Sequence, residues 1–261
     1  MNSDEASSRL AHYKAILAYD GTNFSGFQRQ ANFRTVQGEV ETALHRLGWT
    51  QRSILAAGRT DTGVHASGQV ITFTLDWTRS EAALVNALNA HLPADIAFRQ
   101  ISMAPKGFHP RFDAQARLYR YTLFCDPARD PVRERYAWRV WPPVESSLLH
   151  EAAQALVGEH DFRAFGTPPR PHGSTVRHVS VARWQAGEGS SPDLVFEIEA
   201  NAFLFHMVRR IVRLLVTIAQ TRLPLESIAL YLNNYPINPV KGLAPPHGLN
   251  LSAVRYPELE L

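Results

Sequence analysis

The segment Gly58-Arg59-Thr60-Asp61-Thr62-Gly63-Val64-His65-Ala66 concentrates the groups best suited to chemistry. A carboxylate follows a fixed cation and a hydroxyl, and glycines on either side let other backbone or a ligand come close. A carboxylate kept ionised by a cation is a usable nucleophile or base. Spacing alone fits a plainer account better, a hairpin-like connection with Asp61 in an Asx turn and Arg59 in solvent.

Downstream, Arg117-Leu118-Tyr119-Arg120-Tyr121 has the alternation of a strand, which places Arg117, Tyr119 and Tyr121 on one face. Tyrosine and arginine in alternation suit base stacking and phosphate contact, and equally a half-buried sheet aromatic. Further on, His206, Arg209, Arg210 and Arg213 fall on one stripe of an otherwise apolar helical pattern. A polar stripe on a buried helix must meet acids, water, a ligand or solvent, because an unpaired buried cation is not tolerated.

Other chemistries find no support. Gly21 and Gly26 have the spacing of a phosphate-binding loop, but Phe27-Gln28 stands where Lys-Ser/Thr is required. No G-x-G-x-x-G or H-E-x-x-H occurs, and the 11 histidines show no ligand spacing, so we expect no metal. The His-x-Glu and Cys-x-x-Cys of a zinc base deaminase are also missing. The single cysteine, Cys125, excludes an intramolecular disulfide and fits a reducing compartment. Residues Met1–Arg9 are polar and do not read as a signal peptide. The apolar stretch Ala202–Ala219 is interrupted by three arginines, so no membrane span is expected. The chain reads as soluble and cytoplasmic.

The 261 residues carry a formal charge of only +3, but the basic groups cluster. From Arg99 to Arg139 there are nine Lys/Arg against four acids, interleaved with Phe108, Phe112, Tyr119, Tyr121, Phe124, Tyr136 and Trp138. That mixture suits an unpaired nucleic acid.

The elements that must position these residues follow from patterning. Ala11–Tyr19 is expected as a buried strand ended by Asp20-Gly21. A helix capped by Thr35 should run to Gly48, and a short strand, Ile54–Ala57, should lead into the loop Gly58–Gly68. Gln69–Leu75 reads as a strand with Ile71, Phe73 and Leu75 on one face. Thr78-Arg79-Ser80-Glu81 reads as a capping box opening a helix stopped by Pro93. Strands follow near Ile96–Met103 and Ala116–Phe124. The second half should hold a helix over Glu145–Val157, strands near Thr175–Gln185 and Leu194–Ala200, and a long helix from an Asn201 cap to about Arg222. Gly166–Gly173 and Tyr235–Gly248 read as proline-rich loops, and Leu249–Val254 as a last strand. The pattern is α+β, with antiparallel sheets in two related halves.

These residues bring the chain to a family: it resembles the tRNA pseudouridine synthases of the A type. The matching blocks are Tyr19-Asp20-Gly21 through Gly26 to Gln30, then Ala57 to Ala66, Gly68-Gln69-Val70, Phe108 to Phe112 and Arg117 to Tyr121. They continue with Asp161-Phe162 through Phe165, Asn201-Ala202-Phe203 through His206 to Arg209, and Gly248-Leu249. The resemblance spans nearly the whole chain, and Gly-Arg-Thr-Asp-x-Gly-Val-His is its most specific block. It implies two related α/β halves, residues 9–108 and 109–261, flanking a basic RNA-binding cleft. It implies an isomerase converting uridine to pseudouridine at positions 38, 39 and 40 of the tRNA anticodon stem-loop, as a homodimer without a cofactor. By the same resemblance Asp61 is the nucleophile, Tyr119 stacks on the target base, and Arg209 is the aspartate's basic partner. Leu249 lines the pocket and Arg59 helps extrude the nucleotide. Arg117 and His65, within the matching blocks, are further expected substrate contacts. The resemblance does not decide whether Asp61 attacks the base or the sugar or takes a sugar proton, nor whether Tyr119 is a base or a platform. Phe27 stands where the family usually has tryptophan. Two readings compete, a non-catalytic RNA-binding protein of the same fold and a nucleoside hydrolase using Asp61 as its acid.

Overall fold

The computed structural model describes residues 10–187, 193–233 and 240–257. The polar start and part of the second proline-rich loop, residues 234–239, lie outside them. The chain divides into two compact units, Met1–Ala114 and Gln115–Leu261. Both mix strands and helices, so the α+β class expected from patterning is the class observed.

The first unit runs β1 (Leu10–Tyr19), α1 (Val36–Arg46), β2 (Leu55–Ala56), β3 (His65–Asp76), α2 (Glu81–Asn89) and β4 (Ile96–Met103). Its sheet has β1 between β4 and β3, both antiparallel to it, and β2 pairs with β3. Along β1, Tyr13, Ala15, Leu17 and Tyr19 are buried in strict alternation, which selects one face for the core. Val36, Val40 and Leu44 of α1 and Leu84 and Leu88 of α2 are buried as well. Thr35 caps α1 by accepting from the Gly38 N–H, and Gly48 adopts the left-handed conformation expected after the helix.

Two details differ from the sequence expectation. Strand β3 begins at His65, and Gly68–Phe73 is buried on both faces. The segment before β3 pairs along it: Ala57 N–H donates to Val70 O at 2.8 Å, continuing the β2 pairing, and the fully buried Gln69 donates to Gly58 O at 3.0 Å. The cap of α2 is Ser80, whose hydroxyl accepts from Ala83 N–H at 3.2 Å. Thr78 stands too far outside to reach a first-turn amide, and Glu81 accepts from Met103 N–H instead.

The second unit contains β5 (Ala116–Cys125), β6 (Trp138–Val140), α3 (Ser146–Gln154), β7 (Gly158–Asp161), β8 (Val176–Ala186), β9 (Leu194–Ala200), α4 (Met207–Ala219), α5 (Ser227–Asn233) and β10 (Leu249–Arg255). The strand order is β10-β5-β9-β8-β7, antiparallel throughout. The exception to the expected antiparallel pairing is β6, which runs parallel to β5 from Leu123↔Trp138 to Cys125↔Val140. A connection of about a dozen residues is long enough to return a strand in the same direction. One face of this sheet carries Tyr121, Leu123, Phe196 and Ile198, all fully buried, with Leu149 and Ala152 of α3 and Ile211 and Leu215 of α4. On the other face Arg120, Glu197 and Arg183 sit side by side across β5, β9 and β8.

Helix α4 starts later than the Asn201 cap would have it. The Asn201 side chain accepts from Ala202 N–H at 2.8 Å and from His178 N–H at 3.2 Å, which ties the end of β9 to β8. With that oxygen engaged, the chain stays irregular until His206, which is left-handed at φ 66° and precedes the first helical turn.

Candidate active site and nucleic-acid interface

In the first unit β2 delivers the chain to the Asp61 loop and β3 carries it away. The Thr60 hydroxyl lies 2.8 Å from the buried Tyr19 hydroxyl, and Thr60 O accepts from Phe27 N–H at 3.0 Å. Asp61 O accepts from Val64 N–H at 3.1 Å, closing a tight turn in which Gly63 has φ 76°. The Asp61 side chain is half-buried and Arg59 is exposed. Burial pushes the Tyr19 hydroxyl up to about 12, against the opposing pull of its bonds with Thr60 and Gln69. The group therefore remains a neutral phenol and an anchor.

The glycine pair that resembled a phosphate loop has a different purpose. A Cβ on Gly21 would come within 2.1 Å of Val64 O, and one on Gly26 within 2.9 Å of Thr60 O. Both glycines let the Asp20–Phe27 segment lie against the two flanks of the acid loop. Gly21 N–H also donates to His65 Nδ1 at 3.0 Å. An accepting Nδ1 puts the proton of the neutral ring on Nε2, so Asp20 Oδ1, 3.2 Å from Nδ1, forms an ion pair only with a protonated ring. His65 is 8% exposed and supports the loop from beneath.

In the second unit β5 carries Arg117, Tyr119 and Tyr121 on one face. Arg117 donates to Asn201 O at 2.8 Å. The half-buried Tyr119 ring meets Phe203 edge-on at 5.1 Å. Tyr121, which the sequence offered only as a companion of Tyr119, is fully buried and donates to Pro245 O at 2.9 Å. Burial raises its hydroxyl well above the usual tyrosine range, with Arg209 pulling the other way. Arg209, on α4, donates through Nε to Ala244 O at 2.8 Å, and Ala244 N–H returns a bond to Arg209 O at 3.1 Å. Gly248 fits edge-close against Tyr121, where a Cβ would stand 2.7 Å from Cζ. The next residue, Leu249, is buried opposite Tyr121 in the β10–β5 register. The unit thus brings Arg209, Leu249 and the Tyr119–Tyr121 strand face around the Ala244–Leu249 segment. Arg210 donates to Phe165 O and Arg213 lies over the Trp138 ring, so backbone carbonyls and an aromatic face answer the basic stripe.

Among the described residues no group of three or more His, Cys, Asp or Glu could hold a metal ion, and no helix is long and apolar enough to cross a membrane.

The model of a family described as tRNA pseudouridine synthase matches residues 15–113 and 152–257. A tRNA pseudouridine synthase A of Pseudothermotoga lettingae is 39% identical over 249 residues, covering 95% of this chain and all of that protein. Proteins of the same name from Aeromonas hydrophila and Escherichia coli are 41% and 38% identical, covering 92% and 96% of this chain and 88% and 92% of their own lengths. The matched segments include the Asp61 loop, the Arg209 helix and Leu249, and the chain belongs to the tRNA pseudouridine synthase family.

Proposed function

We propose that this protein isomerises uridine to pseudouridine at positions 38, 39 and 40 in the anticodon stem-loop of tRNA, with Asp61 as nucleophile. The observation that carries the reading is the Asp61 loop. A half-buried carboxylate follows an exposed arginine on a turn fixed at Thr60, Val64 and His65, within a chain whose relatives are pseudouridine synthases.

The reaction breaks the bond from the ribose C1′ to N1 of the base, turns the base and joins C1′ to C5. A proton leaves C5 and one is gained at N1, so the composition is unchanged. Nothing is oxidised and no group enters or leaves, so the chemistry calls for no cofactor. The uridine must first leave the stack, at a cost of a few kcal/mol. Basic contacts to the backbone offset that cost, and Arg59 and Arg117 are suited to supply them. Tyr119 serves as the platform for the flipped base, Leu249 as an apolar wall and Arg209 as the basic group of the reaction. The burial of His65 supports a positioning part in the acid loop more than direct contact with RNA. We extend the reading to a homodimer acting in the cytoplasm.

The test is tritium release from a tRNA transcript labelled at C5 of uridine, with no metal or nucleotide added. Wild type should release tritium and leave pseudouridine in the product. Asp61→Ala should bind the RNA and release none. Tight binding without release by wild type would make this an RNA-binding protein, and free uracil as product would make it a hydrolase.

A further inference from the structure

Between β9 and α4 the chain presents an aromatic pair that the roles above leave unused. Phe205 is 56% exposed although Leu204 and Met207 on either side of the pair are buried. Its ring stacks on His206, with centroids 3.6 Å apart and planes at 27°. His206 reaches this position from a left-handed backbone, φ 66°, that a non-glycine residue adopts only when its surroundings impose it.

The surroundings are specific. Phe205 N–H donates to Thr167 O at 3.0 Å in an isolated antiparallel bridge. Gly166 is packed so closely that a Cβ there would come within 2.6 Å of both Leu204 Cβ and Phe205 O. The backbone beneath the ring is therefore fixed. Three residues beyond Thr167 stands the exposed Arg170, and Arg209 and Arg210 follow on the first turn of α4. A scattered surface phenylalanine needs no explanation. One backed by an imidazole and held on locked backbone, with the exposed Arg170 three residues beyond its bridge partner, has the composition of a base-stacking site, where the π-face takes the base and a nearby cation in the chain is available to phosphate.

We propose that the Phe205–His206 pair is a second stacking platform, which takes an unpaired nucleobase of the RNA other than the target uridine onto the open face of Phe205. The inference rests on the tRNA-modifying reading and deepens it by naming a further contact with the substrate. The platform holds the RNA while chemistry proceeds elsewhere, so its removal weakens binding and leaves the chemical step.

The experiment compares wild type, Phe205→Ala, Phe205→Tyr and His206→Gly on anticodon stem-loop RNAs carrying one abasic site at each unpaired position in turn. Dissociation constants, tritium-release kinetics and thermal melting are measured on each. Phe205→Ala should raise Kd and KM about five- to hundredfold, the range for removing one base–aromatic stack, while kcat changes far less. Phe205→Tyr keeps the ring and should restore affinity, which separates stacking from any loss of folding. His206→Gly suits the left-handed backbone and should weaken binding through loss of the supporting ring alone. One abasic position should weaken wild type yet leave Phe205→Ala unaffected, and that position identifies the stacked base.

Equal Kd and KM for wild type and Phe205→Ala would overturn the proposal. So would a fall in kcat at constant KM, or a changed oligomeric state at constant RNA affinity. In each of these cases tritium release by wild type keeps the synthase reading standing; its absence on every RNA would overturn that reading instead.

Discussion

The hydroxyl of Tyr19, at the end of the first strand, lies 2.8 Å from the hydroxyl of Thr60, immediately before Asp61. Both residues are buried, so this contact joins the sheet of the first unit to the acid loop away from water. It is a direct link between core packing and the position of the proposed nucleophile.

Tyr19→Phe should therefore affect both stability and turnover. The ring still fills its place, but the Thr60 hydroxyl loses a buried partner, at a cost of about 1–3 kcal/mol. Urea unfolding should show that loss. Turnover should fall by more than RNA affinity does, because the loop that presents Asp61 is loosened while Arg117, proposed to contact the RNA backbone, lies on another strand.

Stability should decline in alkali. The Tyr19 hydroxyl is raised to about 12 in the folded chain, against an unfolded value near 10. Its stabilising effect is complete below pH 10 and is lost as pH rises from 10 through 12, because the unfolded chain ionises first. That difference corresponds to about 2–3 kcal/mol, and Tyr121, also raised by burial, acts in the same direction. Melting temperature against pH should fall above pH 10, and Tyr19→Phe should flatten part of that fall.

Two glycines of similar appearance in the sequence should respond differently. Gly21→Ala places a methyl against the Val64 carbonyl, backbone that cannot rotate away. It should cost about 1–3 kcal/mol and nearly abolish tritium release by displacing the acid loop. A Cβ on Gly58 meets nothing within 4 Å, so Gly58→Ala should leave thermal stability within about 0.5 kcal/mol of wild type.

On the open face of the second sheet, Glu197 is 3% exposed and is held by Arg120 and Arg183 from the two neighbouring strands. Burial pushes its carboxyl up, but the hydrogen bonds from Arg183 and then Arg120 outweigh that and hold it below the usual range. Its contribution is present above the unfolded value and is lost as pH falls through the lower folded one. Glu197→Ala should destabilise the protein by about 1–3 kcal/mol, toward the lower end because both arginines keep access to water. Chemical denaturation at pH 7 should show this difference, and it should shrink in acid.

Local order along the chain decided most of the secondary structure, and so the sequence was enough to place it. The alternation in β1, the Thr35 cap and Gly48 stop of α1, and the bounds of β4 and β9 depend on neighbours two to four residues apart. Asp61, Tyr119 and Arg209 entered as site residues by resemblance to the family, because spacing alone left a plainer structural account of each standing. What needed the tertiary structure was each bond between distant segments. The turn of Glu81 toward Met103, the early start of β3 and the engagement of Asn201 with His178 are choices among competing partners, settled by what another strand presents. Gly21 and Gly26 show the difference most clearly. Their spacing is that of a phosphate loop whose Lys-Ser/Thr is missing, and their purpose is to let backbone roughly forty residues away in sequence lie against them; only the folded chain brings Val64 and Thr60 there. Period and propensity act within a few residues, whereas close packing and hydrogen-bond satisfaction act between surfaces that meet only on folding.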